Sequence, residues 1–222
     1  MMQIIDIFIN LDKHLTEWVN VLGPWSYALL FGVIFVETGL VIFPFLPGDS
    51  LLFAAGAISA LPGSVLNPWV LMALFWIAAV TGDSLNFFLG RKIGLPLVQH
   101  PLLGRFITED NLNEAHEFFV KYGPMAIIFA RFLPIIRTLA PFTAAMSNFS
   151  YRKFVMLEML AATIWVIVAV GAGFFFGQIP FIQEHFSLVI FGILFVTALP
   201  VIITGLRSYI VKKREAKFAS KD

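Results

Sequence analysis

The chain has no cysteine, which excludes a disulfide framework, a thiolate metal site and a cysteine nucleophile together. It is also poor in charge. Charged residues make up 13% of its 222 residues, where a soluble domain carries about 25%. The formal net charge is +1, so no bulk field invites nucleic acid. The chain contains no Gly-x-Ser-x-Gly elbow and no His-Glu-x-x-His. His14, His100, His116 and His185 lie outside the long apolar runs, so none is placed to act as a base at membrane depth. The expectation is a protein that is not an enzyme and uses no cofactor or metal.

Apolar residues are abundant instead: 59% of the chain is hydrophobic and its mean hydropathy is +0.87. A soluble fold of this length could not hide so much apolar surface, so the bilayer is the solvent for much of it. The 25 phenylalanines most simply cover lipid-facing and inter-helix surface. The spacing predicts one all-α, polytopic membrane domain.

Residues 1–24 carry apolar positions at three- and four-residue spacing among Asp6, Asp12, Lys13, His14 and Glu17. This is an amphipathic helix lying in the interface or packed on the flank of the bundle, not a signal peptide. Residues 25–61 form an apolar segment broken by Pro44, Pro47 and Gly48. Residues 68–90 can span, 91–122 form a polar segment, and 123–147 form a second broken segment containing Pro134 and Pro141. Residues 154–176 and 187–206 can span, and 207–222 form a basic tail.

Lysine and arginine set the orientation. The tail carries Arg207, Lys212, Lys213, Arg214, Lys217 and Lys221, whereas the loop between the last two spans has no basic residue. That places the tail in the cytoplasm, and with it Arg152, Lys153 and the polar segment. Both ends of 123–147 then lie on one side, so it dips in and returns as a re-entrant hairpin, tolerable at depth only where protein or a water-filled cavity shields the backbone. The side of the N-terminus stays open.

A repeat agrees with this topology. Phe45-Leu-Pro47 recurs as Phe132-Leu-Pro134. Trp76, Gly82 and Phe87-Phe-Leu-Gly90 follow the first as Trp165, Gly171 and Phe174-Phe-Phe-Gly177 follow the second. One broken segment plus one spanning helix, repeated with opposite orientation, is the inverted plan of many secondary transporters. Gly171, Gly173 and Gly177 are expected to allow close helix packing.

A charge inside a membrane costs about 2.5–3.5 kcal/mol on insertion scales and is a functional hypothesis by default. Glu37 and Asp49 sit in the first broken segment, Arg131 and Arg137 in the second. Guanidinium groups grip phosphate or carboxylate bidentately. The carboxylates can titrate, taking and releasing protons as a cavity opens to each side. Against this stand plainer roles: Asp49 as an N-cap of the following half-helix, and Glu37 with the arginines as structural ion pairs. Asp83 and Glu158 are secondary candidates. The first lies near Arg91 and the second one turn from Arg152 and Lys153, so both are expected to act mainly as interfacial anchors.

Glu37-Thr-Gly, Phe45-Leu-Pro-Gly-Asp49-Ser, Gly82-Asp83 through Gly90-Arg91, and Ala130-Arg131-Phe-Leu-Pro134-Ile-Ile-Arg137-Thr-Leu-Ala-Pro141-Phe, in that order, resemble the DedA family. Its wider superfamily includes the eukaryotic SNARE-associated, VTT-type lipid scramblases. The resemblance runs from Leu22 to the basic tail. It implies a bacterial inner-membrane protein with two opposed re-entrant hairpins that moves lipid phosphates, notably undecaprenyl phosphate or phosphatidylethanolamine, with dependence on proton motive force. The family's functional acids fall on Glu37 and Asp49, and its functional arginines on Arg131 and Arg137. Phe87, where the family often has tyrosine, and Ala145, where it often has glycine, are departures that bear on local packing.

The expected function is therefore a translocase of lipid phosphates, with membrane lipids and protons as partners. The arginines would hold phosphate and the acids would couple to protons. The alternatives are a proton-coupled ion or small-solute antiporter and a non-transporting membrane organiser. Which lipid is moved and the oligomeric state, a homo-oligomer included, stay open.

Overall fold

The computed structural model describes residues 21–40, 48–98, 109–147 and 149–185, with Glu17, Val19, Leu188, Val189, Gly192, Ile193 and Phe195. The expected N-terminal amphipathic helix, last span and basic tail lie largely outside the described residues, as do Pro44 and Pro47. Every described element is helical: α1 (Trp25–Gly39), α2 (Gly48–Ser59), α3 (Pro68–Val98), α4 (Glu109–Tyr122), a 3-10 turn (Gly123–Met125), α5 (Ala126–Ala130), α6 (Pro134–Met146), α7 (Tyr151–Phe176) and α8 (Pro180–Glu184).

Two described helices, over Pro68–Lys92 and Tyr151–Phe176, are long and apolar enough to cross a membrane. Helix α3 outruns the expected span of 68–90. It continues past the exposed Arg91 and Lys92 to Val98, because its 31 residues reach about 46 Å at 1.5 Å per residue, beyond a hydrocarbon core of about 30 Å. The Asn67 carboxamide starts it, accepting the Trp69 N–H at 2.9 Å, an N-cap bond for an otherwise orphan donor. Helices α1 and α2, at 15 and 12 residues, are each too short to span alone.

The short helices wrap the two long ones in a crossed pattern. Helix α1 packs on α3 and α2 on α7, whereas α5 packs on α7 and α6 on α3. Helix α2 is buried from Leu52 to Ile58 on every face, as an element apolar all round must be. Helix α7 instead buries Phe154, Glu158, Ala161, Ala162, Trp165 and Val170 on one stripe and leaves Met156, Leu160, Ile164, Ile167 and Val168 exposed on the other. Outward apolar residues at that spacing suit a helix flanked by lipid.

Glycine allows two of these crossings. A Cβ on Gly173 would collide with the Phe53 carbonyl of α2, and one on Gly90 would stand 2.7 Å from the Phe142 carbonyl of α6. Gly177 likewise abuts Ala57, but Gly171 faces open space, so the expectation of close packing there is corrected. The Phe87 ring fills the gap between α3 and α7, stacked on Phe154 at 4.7 Å and fully buried, which leaves no room for a polar contact at that position.

Candidate functional site

Both broken segments deliver charge to the same place. In the second, Pro134 cannot accept an α-helical predecessor, so Leu133 is extended (φ −113°, ψ 109°) and α6 restarts at Pro134. The break leaves Arg131 as the C-terminal cap of α5 and puts Arg137 in the opening turn of α6. In the first, Glu37 closes α1 and Asp49 opens α2, on either side of residues 41–47.

Arg137 joins the two segments. Its Nη2 donates to Glu37 Oε1 and its Nη1 to Asp49 Oδ1 at 2.9 Å. Asp49 Oδ1 also accepts the indole N–H of Trp165 at 2.8 Å. The Asp49 carboxylate therefore serves a tertiary ion pair from within the first turn of α2, which corrects its reading as a simple N-cap. The Glu37 carboxylate presses against Gly48, where any side chain would collide with Oε2. Gly48 thus lets the helix start close over the acid, where the positive end of the helix dipole favours an anion.

Arg131 has a separate pair of acids. Its Nη1 donates to Asp83 Oδ2 of α3 and to Glu158 Oε1 of α7. All three side chains are at most 5% exposed. This corrects the placement of Asp83 beside Arg91 and of Glu158 beside Arg152 and Lys153. Those three basic residues are exposed, and the acids turn inward to a partner more distant in sequence. Periodicity carries the signal for this: Asp83 shares a helical face with Phe75, Ala79 and Phe87, and Glu158 shares one with Phe154, Ala162 and Trp165, all buried.

One ring unites the two clusters. Trp165 lies 4.5 Å from the Arg131 guanidinium carbon and 5.8 Å from that of Arg137, within cation–π range. Glu37, Thr38, Asp83, Arg131, Arg137, Thr138, Glu158 and Trp165 line one cavity of about 20 Å³, room for about one water molecule. Nearby, the buried Asn86 of α3 donates to the carbonyls of Thr38 and Thr138 at 3.2 and 2.8 Å, tying the end of α1 to α6. Neither Trp165 nor Asn86 is a candidate from sequence. Pro141, expected to break the second segment, lies inside a continuous α6. A helix accommodates an internal proline when packing holds it, at the loss of one backbone hydrogen bond. Among the described residues no group of histidine, aspartate and glutamate is arranged to hold a metal ion.

The arrangement sets four carboxylates against two guanidinium groups in a space that is mostly dry. Such a cluster can bind an anion on the arginines when carboxylates withdraw, and can hold protons where the negative charge is in excess.

A family model described as the VTT domain matches residues 46–175, which includes Asp49, Asp83, both arginines, Glu158 and Trp165. The chain is 44% identical to Protein DedA of Escherichia coli (strain K12) over 96% of its own length and 97% of that protein. It is 38% identical to an uncharacterized membrane protein of Mycobacterium tuberculosis (strain ATCC 25618 / H37Rv), covering 86% and 85% of the two chains. It is 31% identical to Inner membrane protein YghB of Salmonella typhimurium, covering 87% of each. No solved structure matches the chain. The apolar spanning helices, the motif order and identity across nearly the full length agree: the chain belongs to the DedA family of VTT-domain membrane proteins, close to DedA itself.

Proposed function

We propose that this chain is a proton-motive-force-dependent translocase of lipid phosphates, such as undecaprenyl phosphate or a phospholipid, in a bacterial inner membrane. In this reading it is multi-pass, with a cytoplasmic C-terminus. The observation that carries it is the pair of arginines, one buried and one half-buried, over one tryptophan, beside one cavity, where two broken helical segments meet. Guanidinium is the side chain best matched to a phosphate headgroup, and acyl tails need never leave the bilayer.

The crossed packing of α1 and α2 against α5 and α6 supports two re-entrant hairpins related as an inverted repeat. So do the matched glycines Gly90 and Gly177, each seated against the second arm of the opposite segment. Alternating access would then be a rocking of one hairpin against the other. A cavity sized for one water admits no phosphate, so the described conformation is the closed one of that cycle. Entry begins when a headgroup replaces carboxylates on Arg137. Protons supplied to Glu37 and Asp49 weaken those ion pairs and release that guanidinium group, which links phosphate binding to proton uptake.

Reconstitution into liposomes with headgroup-labelled lipids tests this. Protein-dependent flipping of a phosphate-bearing lipid is expected, with loss in Arg131→Ala and in Arg137→Ala. No flipping of any phospholipid or polyprenyl phosphate by folded protein sinks the proposal. The four carboxylates give the antiporter alternative its support, and cation-dependent proton flux in the same vesicles would favour it. The pairing of both arginines with acids supports a purely structural role. Function lost in Glu37→Ala and Arg137→Ala singly but regained in the double variant would favour that role.

A further inference from the structure

Asp83 and Glu158 come from different long helices, yet both carboxylates reach the same nitrogen of Arg131. Two carboxylate oxygens on one nitrogen are close neighbours, and both side chains are at most 5% exposed. Two ionised carboxylates held that close repel and have no donor between them; a proton on one removes the repulsion and supplies the donor. The second carboxylate alone balances Arg131. A single proton shared by the pair therefore makes the trio neutral, the state a dry interior favours.

We propose that Asp83 and Glu158 share one exchangeable proton on Arg131, forming a proton-loading site distinct from Glu37 and Asp49.

The surroundings fit such a site. Arg131 is 6% exposed, and its Nε–H has no partner among the described residues. Arg131 lines the cavity for about one water, as do Asp83 and Glu158. A water there bonds to Nε–H and passes a proton to or from the pair. On loading, a hydrated proton gives H⁺ to a carboxylate oxygen, and the new O–H donates to the second carboxylate. On unloading, water takes H⁺ back and two anions remain on Arg131. The other charged groups facing the trio are Arg137 from α6 and Glu37 from α1, with Asp49 of α2 held behind Arg137. Trp165 of α7 covers Arg131, and among the described residues no further titratable side chain lines the cavity. The use of this proton in transport rests on the translocase reading; the shared proton itself does not.

Infrared difference spectroscopy on the full chain in lipid nanodiscs tests it. A protonated carboxyl shows a C=O stretch that a carboxylate lacks, shifted by deuterium exchange. The wild type is expected to show one such band at neutral pH, moved by isotopic labelling of aspartate or glutamate carboxyls. Asp83→Asn and Glu158→Gln, isosteres that keep the packing, each remove it, whereas Glu37→Gln keeps it. A wild type without the band overturns the proposal even if neither variant folds. So does a band that survives in folded Asp83→Asn and Glu158→Gln but vanishes in Glu37→Gln. Flipping is measured separately on the same samples. A band without flipping keeps the shared proton and removes the translocase, and flipping without the band does the reverse.

Discussion

Arg131 and Arg137 have the same kinds of neighbour, two carboxylates and the Trp165 ring, but they differ in depth. The Arg131 side chain and its acids Asp83 and Glu158 are each at most 5% exposed. Arg137 is 14% exposed and its partner Asp49 24%, with its other partner Glu37 buried at 1%. Their helices differ as well. Arg131 is gripped by the two long helices, whereas Arg137 is gripped by the ends of the two short ones. The first cluster can change its charge only by taking up or losing protons. The second lies at an edge where an incoming anion could replace a carboxylate on the guanidinium. The pair thus reads as an inner lock and an outer door.

The sharpest way to break this contrast is to remove each guanidinium in turn. Arg131→Ala strands two buried carboxylates, and loss of one partner from such a pair costs about 3–5 kcal/mol. Unfolding followed in detergent micelles should show this as the largest destabilisation of any single charge removal. Arg137→Ala should cost less, about 1.5–3 kcal/mol, because it strands one buried carboxylate, Glu37, while Asp49 is 24% exposed, and the variant should fold yet no longer flip lipid. Equal losses for the two would erase the distinction of depth. Trp165→Phe keeps a ring over both arginines but deletes the N–H to Asp49, at a cost of about 1 kcal/mol. Its effect should combine additively with Glu158→Gln and non-additively with Asp49→Asn in double-mutant cycles. Arg91→Ala should change stability by no more than about 0.5 kcal/mol, since Asp83 takes its counter-charge from Arg131.

The four charges Glu37, Asp49, Arg131 and Arg137 are legible in the sequence because each interrupts an apolar run beside a breaker. Membership of the family, the helical class and the helices 68–90 and 154–176 are legible for the same reason: bilayer hydropathy leaves a strong signal. Asp83 and Glu158 are just as visible as letters. Their depth is misread when the nearest basic residue along the chain is taken as the partner, because ion pairs at depth form across helices. Their positions on the buried stripes of α3 and α7 hold the better signal. Trp165 is hidden among many apolar aromatics, and only the meeting of four helices gives it a role. Pro141 misleads because a helix clasped by α3 and α4 can tolerate a proline that would break a free one.

That proline has a mechanical consequence. Lacking an N–H, Pro141 cannot bond the carbonyl four residues earlier, which belongs to Arg137. The opening turn of α6, which carries Arg137, is therefore fastened to the rest of its helix by one bond fewer than its neighbours. A weakened turn thus lies directly beneath the residue that joins the two broken segments. Tilting that turn would swing the guanidinium away from Glu37 and Asp49 while leaving Arg131 seated.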